Sequence, residues 1–88
     1  MSEQELFVFN ARELRAARSL TRWIASGCHW AEGADNPVSS AAKAALGDRG
    51  AMVQLYRIAV GVADSYESDQ ITQGIAAEAA RLWIGEDV

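Results

Sequence analysis

Apolar residues are densest between Ala51 and Tyr66, with the period of an α-helix. At about 100° per residue, apolar side chains cover most of this segment's circumference. The predicted core side holds Met52, Val53, Leu55, Tyr56, Ile58, Ala59, Val60, Val62, Ala63 and Tyr66. A helix that is apolar nearly all round needs neighbours on several sides. The pattern therefore predicts a central helix over about residues 50–67, with Asp48 as its N-cap.

Three amphipathic segments flank this helix and predict helices over about residues 11–27, 37–46 and 70–84. The first follows Asn10, which has the spacing of a capping box with Glu13. We expect Ser68 or Asp69 to cap the last one. Its predicted inward residues are Ile71, Ile75, Ala79, Leu82 and Trp83, while Ala77, Ala80 and Ile84 form a second side that is either exposed or receives another subunit.

Residues 1–9 precede the first helix and contain a short apolar run, Leu6 to Phe9. A lone strand would have nothing to pair with in a helical chain, so we interpret this segment as an extended arm. The sequence thus predicts one all-α domain over residues 1–88, a compact four-helix bundle with a short N-terminal extended arm.

Composition narrows the class of protein further. Half of the 88 residues are apolar, and the net charge is −4, which speaks against extensive binding to nucleic acid or anionic membranes. Cys28 is the only cysteine and His29 the only histidine, so we expect no disulfide, no structural metal site and no cofactor. The chain shows neither a secretory signal nor a run long enough to span a bilayer, so the expected location is the cytoplasm.

Basic residues are concentrated in the first helix. Residues 1–22 hold four arginines against three acids, a balance of +1, while the remainder holds four basic and nine acidic residues, a balance of −5. Arg15, Arg18 and Arg22 are three and four residues apart and so share one outward face. Guanidinium groups in a row suit carboxylates or phosphates. The alternatives are a solvated face paired with the chain's own acids, an acidic protein partner, or nucleic acid.

The second and third helices also suggest a helix-turn-helix motif, in which Arg49, Gln54 and Arg57 would face the DNA groove. Two features oppose this interpretation. Lys43 stands where such motifs need a small buried residue, and Asp48 and Asp64 would bring negative charge close to phosphates.

No catalytic set is complete in the sequence. Cys28 and His29 are adjacent, and adjacent residues on a helix point about 100° apart. Asp64, Glu67 and Asp69 lie between two predicted helices, where acids commonly cap and solvate. We therefore expect a protein that is not an enzyme.

Trp30 lies beside His29 after the arginine-rich helix, and tryptophan with arginine is typical of binding hot spots. It is equally consistent with a lid over the small core. We favour a protein-interaction module, an adaptor or inhibitor, that binds an acidic protein through Arg15, Arg18, Arg22, His29 and Trp30. The alternatives are a DNA-binding regulator, or a self-assembling subunit joined through the alanine side of the last helix or the arm.

Overall fold

The chain forms four helices in the parts that the computed structural model describes, residues 10–26 and 37–85. These are α1 (Ala11–Ser26), α2 (Pro37–Ala45), α3 (Arg49–Ser65) and α4 (Gln73–Ile84), and no strand occurs within these ranges. The predicted all-α, four-helix fold is confirmed. The predicted arm over residues 1–9 lies outside the described residues.

The central position of α3 follows from its broad apolar surface. It packs most extensively against α4 and α1, and it also touches α2. Its buried residues are Met52, Val53, Leu55, Ala59, Val62 and Ala63. The predicted core side was too broad at two positions, because Val60 is 44% exposed and Tyr66, at the C-cap, is 62% exposed.

The core is built largely from small side chains in two clusters. The larger cluster joins all four helices, and the smaller consists of Ala17, Ala45, Met52 and Val53. Tyr56 and Trp83 are partly buried and pack against both. Alanine lets helix backbones approach closely but buries little area, so the few large core residues carry much of the packing.

Two predicted helix caps are confirmed. The Asn10 Oδ1 atom accepts from the Glu13 backbone N–H at 2.7 Å, and Asp48 Oδ1 accepts from that of Ala51 at 3.1 Å. The other half of the predicted capping box is wrong. The Glu13 carboxylate accepts from the guanidinium of Arg57 on α3 instead of returning to Asn10.

The predicted cap of α4 is also wrong, because the helix begins later. Thr72 is its N-cap, and its hydroxyl accepts from the Ile75 N–H at 3.3 Å. Ser68 belongs to the end of α3, where its N–H donates to the Ala63 carbonyl at 2.9 Å. Its hydroxyl donates to the Gln70 carbonyl at 2.7 Å. Ser68 therefore forms hydrogen bonds that end α3 and does not cap α4.

The buried face of α4 lies between the two sides that the sequence distinguishes. Its buried residues are Ile75, Ala76, Ala79 and Ala80. Ala80 is fully buried, whereas Leu82 is 45% exposed, so the prediction that Leu82 points inward is wrong. Small residues along this face let α4 pack closely against α3. The alanine side is consequently used within the molecule at Ala80 and is not free there for a second subunit.

A buried hydroxyl links α2 to α1. The Ser39 Oγ atom donates to the Ile24 carbonyl at 3.0 Å, and Ser39 is fully buried. Buried hydroxyl groups are costly unless hydrogen-bonded, so this bond favours the observed packing of α2 against the C-terminal half of α1.

Candidate functional site

The outward side of α1 carries the row of basic side chains that the sequence predicts. We call Arg15, Arg18 and Arg22 the arginine stripe. Arg15 and Arg22 are exposed and Arg18 is half-buried, whereas Ala17, Leu20 and Ile24 on the opposite side are buried. Within the described residues, no ion pair joins the stripe to an acidic side chain. The predicted alternative of a face neutralised by the chain's own acids thus has no support in this part of the structure.

The basic residues of α1 are not placed where they would stabilise the helix. Cations stabilise the C-terminal end of a helix and anions the N-terminal end. Here Arg12 lies in the first turn, and the last turn contains no basic residue. Like charges three and four residues apart destabilise a helix by roughly 0.2–0.5 kcal/mol per pair. The stripe therefore reduces helix stability slightly and gains nothing from the helix dipole.

The single acidic residue of α1 is engaged by α3. Both carboxylate oxygens of Glu13 accept from Arg57, from Nε at 2.8 Å and from a terminal guanidinium nitrogen at 3.1 Å. The hydrogen bond from Arg57 holds the pKa of Glu13 below its usual value, and the same bond raises the pKa of Arg57. This fork neutralises the one negative charge on α1, so no carboxylate of α1 itself is left to pair with the stripe.

The structure describes three of the five predicted binding residues, the arginines of the stripe. His29 and Trp30 lie outside the described residues, between the end of α1 and the start of α2. Of the three residues expected to read DNA, Arg49 and Gln54 are exposed, but Arg57 is the partner of Glu13.

A groove that sequence reasoning missed lies between α3 and the segment that leads to α4. We call it the α3–α4 groove. It has a volume of about 320 Å³ and is lined by Tyr56, Val60, Ala63, Asp64, Ser68, Asp69, Gln70 and Ile71. Its apolar members look like ordinary core residues in the sequence. Their exposure depends on the path of the segment between α3 and α4, and the sequence of that segment has no hydrophobic periodicity from which its path could be predicted.

A second hollow, of about 480 Å³, is lined by Tyr66, Ser68, Thr72, Gly74, Ile75 and Glu78. At its edge the Tyr66 hydroxyl donates to Glu78 Oε1 at 2.9 Å. This hydrogen bond and the negative charge of Glu78 raise the pKa of Tyr66. In this contact the Tyr66 hydroxyl is the hydrogen-bond donor.

The described residues show neither a metal-binding cluster nor a helix that could span a membrane. They contain no group of three or more His, Cys, Asp or Glu side chains placed to hold a metal ion. None of the helices in residues 10–26 and 37–85 combines the length and apolarity needed to traverse a bilayer.

Comparisons of the chain with protein-family models, with curated proteins and with solved structures find no match.

Proposed function

We propose that this chain binds another protein through the arginine stripe, as an adaptor or inhibitor, and that the partner presents an acidic surface. The observation that carries the proposal is the row of guanidinium groups on α1 that pairs with no acid in the described residues, in a chain of net charge −4. Each guanidinium offers a planar fork of donors that matches a carboxylate.

The use of Arg57 supports a protein partner over DNA. A helix-turn-helix reader needs its basic side chains directed at base edges and phosphates. Arg57 instead forms a two-pronged bond with Glu13, and the carboxylate of Asp48 caps the N-terminus of α3. A recognition helix would thus meet the phosphates with an acid at its leading end.

The test compares two double variants of equal charge. Arg15→Glu/Arg22→Glu reverses two exposed charges in the stripe, and Lys43→Glu/Arg49→Glu reverses two exposed charges elsewhere. Each reversal changes the charge by −2, so both variants have the same net charge. Proteins captured from source cells by the wild type are identified by mass spectrometry, purified, and titrated against all three chains. We expect the stripe variant to bind at least about tenfold more weakly, a loss of about 1.4 kcal/mol, and the control variant to bind like the wild type.

Both variants should keep the helical far-UV circular dichroism of the wild type, because the substituted side chains are exposed. Binding should also weaken as salt is raised, since it depends on charge pairs at a surface. If the two double variants bind the partner with equal affinity, whether unchanged or reduced, the stripe is not the binding surface.

A further inference from the structure

The α3–α4 groove combines an apolar floor with an acidic edge. Tyr56, Val60 and Ile71 contribute to the floor, while the exposed carboxylates of Asp64 and Asp69 stand at the edge. Val60 remains 44% exposed on the helix that packs most extensively within the bundle. The groove is thus suited to a ligand group that is apolar along its length and positively charged at its tip.

Gly61 adds a second feature to this side of α3. It is exposed in the middle of the helix, and a Cβ atom there would meet nothing within 4 Å. Glycine inside a helix costs roughly 0.5–1 kcal/mol relative to alanine, and no packing contact among the described residues requires it. Asp64 is its neighbour one turn later on the helix surface. The missing side chain lets another backbone come close to the groove's acidic edge.

The arginine stripe has the complementary chemistry. An arginine side chain lays its methylene stem on apolar surface and keeps its charged head at the edge. In the α3–α4 groove such a stem would cover Val60 and Ile71, and its guanidinium would reach Asp64 or Asp69. The ring of Tyr56 is a further favourable surface for a guanidinium group. Within the described residues neither Asp64 nor Asp69 forms an ion pair.

We infer that the arginine stripe of one molecule docks in the α3–α4 groove of a second copy of the same chain. The inference rests on the proposed function for the stripe as a binding surface, but it assigns a different partner. Stripe and groove are different surfaces, so the contact is head-to-tail, and each molecule in a pair keeps one of the two surfaces open. The groove is small, about 320 Å³, so the proposed contact buries little surface. Interfaces that bury well below about 1,200 Å² are weak. We expect association to become visible only at roughly millimolar concentration.

Sedimentation velocity at low salt tests this contact with neutral, nearly isosteric variants. The stripe variant is Arg15→Gln/Arg22→Gln, and the groove variant is Asp64→Asn/Asp69→Asn. The wild type should show a mass that rises with concentration and falls when salt is added. Each variant alone should remain monomeric, because each lacks one of the two surfaces. An equimolar mixture should form a 1:1 dimer and grow no further, since only one intact stripe and one intact groove are present.

Gly61→Gln provides an independent variant that should fold normally. Glutamine is a better helix former than glycine, and the site is open, so helical circular dichroism should be retained. Its side chain would obstruct close approach, and self-association should be lost. A monomeric wild type at every concentration, a mixture of the two double variants that stays monomeric, or self-association of either variant alone would overturn the inference.

The outcomes separate this inference from the proposed function. A wild type that stays monomeric yet binds another acidic protein through the stripe overturns self-docking alone. A wild type that self-associates as described but captures no other protein through the stripe overturns only the proposed function.

Discussion

Glu67 ends α3 in a backbone conformation that residues with a Cβ atom seldom adopt. Its φ angle is 56°, in the left-handed region. Its N–H donates to the Asp64 carbonyl, and the next N–H, of Ser68, donates to the Ala63 carbonyl, each at 2.9 Å. These two bonds form a Schellman motif, in which this position is usually glycine because a side chain there is strained.

Replacing Glu67 with glycine should therefore stabilise the folded state. We expect Glu67→Gly to raise the free energy of unfolding by about 1 kcal/mol relative to Glu67→Ala, because both remove the charge but only glycine relieves the strain. Urea denaturation followed by circular dichroism measures the difference. Equal stabilities of the glycine and alanine variants would mean that the left-handed conformation carries no measurable cost.

At the scale of the helices, the start of α4 depends on Thr72. Its hydroxyl satisfies the Ile75 N–H in the first turn, whereas Asp69, a cap predicted from the sequence, lies exposed before the helix. Loss of an N-cap side chain costs typically about 1 kcal/mol. We expect Thr72→Ala to lower the free energy of unfolding by about that amount and Asp69→Ala to change it by less than about 0.5 kcal/mol. The reverse order in a urea titration would place the cap at Asp69.

The N-caps of α1 and α3 can be predicted from the sequence, whereas the N-cap of α4 cannot. Asn10 and Asp48 were readable because each precedes a periodic run directly, and the cap bond spans only three residues. Thr72 cannot be recognised as a cap in the same way. The end of α3 is hidden because Glu67 occupies the position where glycine usually marks a helix end, so the start of the next helix is hidden too. The arginine stripe was readable from its spacing. The pairing of Glu13 with Arg57 was not, since it joins residues 44 positions apart.

At the scale of the whole molecule, two leucines that differ in burial allow the orientation of α4 to be tested. Leu55 is fully buried on α3, and Leu82 is 45% exposed on α4. Leu→Ala in a core costs about 2–5 kcal/mol, whereas the total stability of a small domain is roughly 5–15 kcal/mol. Leu55→Ala should therefore remove a large share of the stability in thermal or urea unfolding, and Leu82→Ala should cost less than about 1 kcal/mol. Similar losses in both would contradict the observed orientation of α4.

The rotation of α4 shows the limit of periodicity. The pattern predicts the burial of Ile75 and Ala79 correctly, but the neighbouring face, with Ala76 and Ala80, is buried as well. Hydrophobicity alone ranks Leu82 above alanine as a core residue. Close helix packing favours the smaller side chain, and that preference depends on the neighbouring helix, which a single amphipathic pattern does not encode.

The bond from Ser39 to the Ile24 carbonyl has a consequence for engineering. It joins two points 15 positions apart in the chain, so the end of α1 and the start of α2 are held close together. Lengthening a loop costs little once its ends are held, about 0.6 kcal/mol for each doubling. An epitope or a fluorescent tag inserted between α1 and α2 should therefore leave the four helices folded, because the two helix ends that flank the insertion are held together by this hydrogen bond.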